Sequence, residues 1–94
     1  MDAAELAVAL RVMYESAKRN EAACQVHLFG IRYAKELQAS SETVKDIVKR
    51  SGINMGYVSE VSKGIKLAQY VDLKREYMEQ LDATLEKVEG KKSI

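Results

Sequence analysis

SGINMGYVSEVSKG, residues 51–64, is the stretch that decides the fold. Two helices joined by a tight turn need a residue that tolerates positive φ in the turn and apolar residues that fix the angle between the helices. At suitable intervals the stretch contains Gly52, Ile53, Val58 and Val61. Asn54 can cap the second helix, and Gly64 is expected to end it. The stretch therefore predicts two short helices with a left-handed Gly52 between them.

The rest of the chain favours an all-α fold. Its 94 residues are too few for a second core of useful size, so we expect a single domain over residues 1–94. Apolar residues make up 47% and charged residues 31%, and no proline interrupts the helical patterns. Apolar spacing and capping residues predict helices at 3–18, 21–38, 42–51, 55–63 and 67–88.

Local signals refine these helices. Asp2 is expected to cap the first helix, and Ser40 or Ser41 the third. Gly30, in the middle of the second helix, costs about 1 kcal/mol relative to alanine. Another helix should therefore approach closely at Gly30, and we expect the N-terminal helix to be the one that crosses there.

The last predicted helix, 67–88, has apolar residues at the spacing of a coiled-coil seam. They are Val71, Met78, Leu81 and Leu85. Two interpretations stay open. The stripe packs back onto the domain, or it forms a homodimer interface between two copies of the chain.

The charge of the chain is unevenly distributed. The formal net charge is only +1, whereas proteins that bind phosphate backbones usually carry a clear basic excess. Between residues 45 and 66, however, the basic residues are Lys45, Lys49, Arg50, Lys63 and Lys66, and the acidic ones are Asp46 and Glu60. The turn motif is thus the most basic part of the chain.

Residues 43–66, TVKDIVKRSGINMGYVSEVSKGIK, resemble the DNA-binding core of the phage-repressor and Cro-like (Xre) family of helix-turn-helix regulators. The matching residues are Thr43, Ile47, Gly52, Ile53, Asn54, Tyr57, Val58, Ser59, Val61 and Gly64, followed by the basic Lys66. The resemblance implies a small transcriptional regulator that binds double-stranded DNA, with helix 55–63 in the major groove. It implies base-facing positions at Met55, Gly56, Tyr57 and Glu60, and phosphate-facing positions at Thr43, Asn54, Ser59, Lys63 and Lys66.

The chain departs from that family at several positions. Val44 stands where the family usually has a phosphate-binding glutamine, and Val48 stands where it favours alanine. Met55 and Gly56 offer no hydrogen bond to a base edge, and Glu60 can accept only from a cytosine amino group. These departures keep a second interpretation open, in which the helix-turn-helix fold is a protein-interaction module or accessory subunit with a protein partner.

The residues do not favour other classes of function. Cys24 and His27 lie one helical turn apart, but a zinc site needs further ligands and the chain has no other Cys or His. We therefore expect a core thiol, a half-buried imidazole and no metal. No base stands near a nucleophile, so neither an enzyme nor a cofactor is predicted. With no secretion signal and no segment that could cross a bilayer, we expect a cytoplasmic protein.

Overall fold

The computed structural model describes residues 1–92, with side chains over residues 1–88. These residues form six α-helices and one 3₁₀ turn. The helices are α1 (Ala3–Glu15), α2 (Ala22–Arg32), α3 (Ala34–Ala39), α4 (Val44–Ser51), α5 (Val58–Leu67) and α6 (Arg75–Lys92), and the 3₁₀ turn is Met55–Tyr57. The predicted all-α fold with a long C-terminal helix is confirmed.

Helix α1 begins where the sequence predicts and supplies much of the core. The Glu5 N–H donates to Asp2 Oδ1 at 2.8 Å, and the Asp2 N–H donates to Glu5 Oε1 at 3.1 Å, so the two residues form a capping box. The apolar side of the helix is fully buried at Leu6, Leu10 and Met13. The helix ends at Glu15 rather than at residue 18, and the Ser16 hydroxyl donates to the Met13 carbonyl oxygen at its end.

Helices α2 and α5 cross at two glycines. A methyl group at Gly30 would lie 2.5 Å from the Val61 carbonyl oxygen and 2.9 Å from Gly64 Cα, and one at Gly64 would collide with the His27 carbonyl oxygen. The close approach expected at Gly30 is confirmed. The helix that crosses there is α5, however, and not the N-terminal helix, because α1 packs beside α2 and against α4 instead.

The predicted helix 21–38 is wrong as one element, because the chain bends at Tyr33. Tyr33 has φ −112° and ψ 22°, and it separates α2 from α3. Its buried ring lies 5.3 Å from the ring of Phe29, and the Arg32 guanidinium lies over it at 5.2 Å. Phe29, Tyr33 and Leu37 are all buried, so the apolar period continues through the bend and gives no sign of it in the sequence.

Two polar residues of α2 differ in their surroundings. Cys24 is exposed, so the expected core thiol is wrong, whereas His27 is half-buried as expected. The core side of α2 is occupied by Val26 and Phe29, both fully buried. A thiol at position 24 therefore lies away from that side of the helix.

The predicted helix 67–88 is wrong at its start. Helix α5 continues through Gly64 to Leu67, because Gly64 lies inside the helix at the crossing and does not end it. The chain then turns, and α6 begins only at Arg75. Val71 consequently lies in the connection between α5 and α6 and does not share a helix with Met78.

Helix α6 packs back onto the other helices. The Tyr77 hydroxyl donates to Gln25 Oε1 at 2.7 Å, and Arg32 pairs with Asp82 at 3.4 Å, so both polar links join α6 to α2. Leu81 is only 6% exposed and belongs to the core. These contacts hold α6 against α2 on its apolar side.

Candidate nucleic-acid interface

Thr43 fixes the start of α4. Its hydroxyl oxygen accepts from the Asp46 N–H at 3.1 Å, and its own N–H donates to Asp46 Oδ2 at 3.2 Å. The hydrogen bond from the Thr43 backbone N–H, followed by the one with its side chain, lowers the pKa of Asp46. The helix is therefore capped by Thr43 rather than by Ser40 or Ser41.

The turn after α4 has the left-handed glycine that the sequence predicts. Gly52 has φ 81°, and Ile53 is buried directly after it. The buried Ser51 hydroxyl donates to the Val48 carbonyl oxygen at 2.6 Å and accepts from the Ile53 N–H at 3.3 Å. The turn is thus held by its own side chains, and the angle between α4 and α5 is set by residues that need no ligand.

Arg11 of α1 also contacts this turn, which sequence reasoning missed. Its Nη1 donates to the Ser51 carbonyl oxygen at 3.0 Å, and its Nε pairs with Glu15 at 2.7 Å. A guanidinium at a helix C-terminus satisfies a carbonyl group that has no partner within the helix. The sequence gives no local signal for this contact, because Arg11 and Ser51 are 40 residues apart.

The second helix of the motif begins more tightly than expected. Asn54 Oδ1 accepts from the Gly56 N–H at 2.7 Å, which confirms Asn54 as a cap, and Met55–Tyr57 then form a 3₁₀ turn that leads into α5. Met55 is 40% exposed and Gly56 is also exposed. Two of the four predicted base-facing residues therefore lie at the surface, in the 3₁₀ turn that leads into α5.

Tyr57, the third predicted base-facing residue, packs toward α1. Its ring meets the ring of Tyr14 edge-on, with centroids 5.4 Å apart, and burial followed by the interaction with Tyr14 raises the pKa of Tyr57. Tyr57 is half-buried and contacts the core. Its ring thus anchors the 3₁₀ turn to α1.

Glu60, the fourth, is engaged within its own helix. The Ser59 hydroxyl donates to Glu60 Oε2 at 2.8 Å, and Lys63 Nζ lies 3.7 Å from Glu60 Oε1. The hydrogen bond from Ser59 is the main cause that lowers the pKa of Glu60, so the carboxylate stays charged near neutral pH. Reading a base through Glu60 would require it to exchange these partners.

One face of α5 is open to solvent, and we call it the α5 face. It consists of Met55, Gly56, Ser59, Lys63 and Lys66, all exposed. These positions recur at helical spacing and so share one side of the helix. The opposite side of α5 is buried at Val61 and Gly64. The α5 face is therefore apolar at its N-terminal end and basic toward its C-terminal end.

Helix α4 also has positive charge at its surface. Lys45, Lys49 and Arg50 are exposed on α4. Arg50 Nε donates to Glu42 Oε1 at 2.8 Å, and this hydrogen bond raises the pKa of Arg50. Both helices of the motif thus have exposed lysines, in agreement with the local excess of basic residues in the sequence.

The residues predicted for a homodimer interface differ in their exposure. Val71 is 45% exposed in the connection between α5 and α6, Met78 and Leu85 are half-buried on α6, and Leu81 is in the core. Among the described residues, the exposed large apolar side chains are Met1, Met55, Leu67, Tyr70 and Val71. Three of these five lie together in sequence, and we call Leu67, Tyr70 and Val71 the connection patch.

A family model described as an HTH-like domain matches residues 2–74. This range covers α1 to α5 and the connection after α5, and it ends just before α6 begins. The chain therefore belongs to this helix-turn-helix family. No curated protein and no solved structure matches the chain significantly. Within residues 1–92, no helix has the length and apolar character needed to span a membrane.

Proposed function

We propose that the protein binds double-stranded DNA, with α5 in the major groove and α4 across the phosphate backbone. The observation that carries the proposal is the α5 face, an exposed helix surface beside a capped, glycine-framed turn with lysines on both helices. Helix-turn-helix proteins dock with the second helix of the motif in the groove. The resemblance of residues 43–66 to the phage-repressor and Cro-like family agrees with this orientation and favours a role in transcription regulation.

The contacts can be divided between phosphates and bases. Lys63, Lys66 and the Asn54 amide NH₂ can donate to phosphate oxygens, and Thr43 and Ser59 are the other two positions predicted to face phosphates. Sugar and phosphate contacts of this kind fix register and orientation without reading sequence. Base contact is left to the N-terminal end of the α5 face.

A charge test on the α5 face examines this proposal. Ser59→Glu places one carboxylate on that face, and the control Ala83→Glu places one on the exposed side of α6, so the net charge changes equally. We expect Ser59→Glu to weaken binding of a random-sequence duplex about tenfold or more, which is ~1.4 kcal/mol, because the added charge faces phosphates. Ala83→Glu should bind as the wild type does.

Fluorescence anisotropy at low and at physiological salt measures both variants. Non-specific binding by helix-turn-helix proteins is expected in the micromolar range and should weaken steeply as salt rises. Absence of binding at micromolar protein and low salt, or equal loss in the two variants, would contradict the proposal.

The second candidate function is protein binding, and the connection patch favours it. Tyr70 is 82% exposed, and Leu67 and Val71 beside it are exposed as well. Contiguous exposed apolar residues often mark interaction sites, and dimeric helix-turn-helix proteins bind paired half-sites. We therefore propose a second copy of the chain as the partner at this patch.

Light scattering tests self-association. A wild-type mass of two chains that falls to one chain in Tyr70→Ser supports the dimer. A wild-type mass of one chain at high protein concentration rejects it and leaves DNA binding by a single motif.

A further inference from the structure

We propose that the N-terminal end of the α5 face recognises the 5-methyl group of a pyrimidine in the major groove, through apolar contact with Met55. This inference rests on the proposed DNA binding and adds the chemical feature that is read. It starts from a difference within the α5 face, since the C-terminal end is basic and the N-terminal end has no charged side chain.

The polar residues nearest to that end already have partners. Asn54 Oδ1 accepts from Gly56 N–H at 2.7 Å, and the Glu60 carboxylate accepts from Ser59 at 2.8 Å. The Tyr57 ring lies against Tyr14. Reading bases through the Asn54 oxygen or the Tyr57 ring would cost the contacts that hold the 3₁₀ turn. The Glu60 carboxylate can only accept, from a cytosine amino group.

Met55 and Gly56 provide the alternative chemistry. Met55 is a large apolar side chain at the surface, and a long flexible thioether adapts its shape to the group that it meets. Gly56 presents backbone without a side chain, so a groove wall can approach next to Met55. In the major groove, the apolar feature of a base pair is the methyl group on C5 of thymine, which apolar side chains contact in direct readout.

The positions of two lysines on α5 are compatible with such a contact at the N-terminal end of the α5 face. Lys63 and Lys66 lie about two and three turns beyond Met55, where they can meet phosphates while the start of the motif's second helix meets base edges. The same methyl group occurs on thymine and on 5-methylcytosine. Both present it at C5 in the major groove, so the experiment must compare them.

Four short alternating duplexes serve as probes: A·T, A·U, G·C and G·C with every cytosine methylated at C5. Replacing thymine by uracil removes only the methyl group, and methylating cytosine adds it. The wild type, Met55→Ala and Met55→Leu are titrated with each duplex by fluorescence anisotropy at low salt. Leucine keeps an apolar side chain of similar volume.

We expect the wild type to prefer the methylated member of at least one pair by about fourfold per methyl contacted, which corresponds to ~0.8 kcal/mol for one buried methyl-sized group. Met55→Ala should lose this preference and Met55→Leu should keep it. Preference within the A·T and A·U pair alone assigns thymine as the group read. Preference within the cytosine pair assigns 5-methylcytosine.

Two results would overturn the inference while DNA binding stands. One is equal affinity for the methylated and unmethylated members of both pairs. The other is a preference that Met55→Ala retains, since the methyl group would then act through DNA shape rather than through Met55. Failure of all four duplexes to bind would overturn the proposed function together with this inference.

Discussion

At the scale of single residues, the crossing of α2 and α5 is the position where side-chain size matters most. We expect Gly30→Ala to destabilise the fold although alanine is the better helix former. A β-carbon there would lie 2.5 Å from the Val61 carbonyl oxygen, which is backbone and cannot rotate away. Overpacking costs about 1–3 kcal/mol, against a gain of about 1 kcal/mol in helix propensity. Urea unfolding followed by circular dichroism measures the net loss.

Gly56→Ala is the matched control for this prediction. Its β-carbon would lie 3.0 Å from Asn54 Oδ1, so a shift of a few tenths of an ångström in this exposed side chain relieves the contact and need not break its hydrogen bond from the Gly56 N–H. Its unfolding free energy should stay within about 0.5 kcal/mol of the wild type, as for most surface substitutions. A Gly30→Ala variant as stable as the wild type would mean that α2 and α5 separate without cost.

Gly30 also shows how much of the helix packing can be predicted from a single residue of the sequence. A glycine inside a strong helical pattern has a propensity cost, so close packing was predictable. The identity of the crossing helix was not, because apolar periodicity describes one helix face and does not say which helix covers it. Arg11 is the opposite case, since its hydrogen bond to Ser51 joins residues far apart in the chain and leaves no pattern.

At the scale of helices, the capping box of α4 positions the first helix of the motif. We expect Thr43→Ala to lower the free energy of unfolding by about 1 kcal/mol, because the Asp46 N–H loses its acceptor. Thr84→Ala, at an exposed position of α6, is the control, since that hydroxyl only donates to a carbonyl within its own helix. Thermal unfolding of both variants checks the difference, and equal losses would contradict a capping role.

The same capping box predicts a pH dependence. The pKa of Asp46 is lower in the folded chain than its ordinary value, so its contribution is present above the unfolded pKa, about 3.9, and is lost as pH falls through the lower folded value. Asp46→Asn should therefore lose less stability than the wild type when both are acidified through this range. Parallel acid transitions in the two proteins would contradict the prediction.

Helix ends were less predictable than helix existence. Asp2, Gly52 and Asn54 have local capping chemistry, and their predicted roles are confirmed. The bend at Tyr33 and the passage of α5 through Gly64 depend on tertiary packing, which overrides local preference. At Tyr33 the apolar period continued, so the pattern in the sequence merged two helices that the fold separates. At Gly64 the glycine predicted a helix end where the fold continues the helix to Leu67.

At the scale of the whole molecule, the charged residues are unevenly distributed over the surface, and the net charge does not show this. The net charge of +1 conceals a motif with lysines at its surface, while α6 carries charges of both signs away from it. Sequence counting revealed the local excess, but which side chains form one face depended on burial of Val61 and Gly64. Sequence alone could not show which of the predicted base-facing residues have partners within the chain, because the contacts of Tyr57 with Tyr14 and of Glu60 with Ser59 are made only in the folded chain.

Because of this uneven distribution, the salt dependence of DNA binding tests which face of the protein contacts the DNA. We expect the double variant Lys63→Ala and Lys66→Ala to reduce the slope of log affinity against log salt by about 2, since each phosphate neutralised contributes about 0.9. The control replaces Lys18 and Lys87, which are exposed near and on α6, and removes the same charge. Its slope should equal that of the wild type, because counterions are released only where lysines meet phosphates. Equal slope changes in the two double variants would place the DNA on no particular face and would contradict docking through α5.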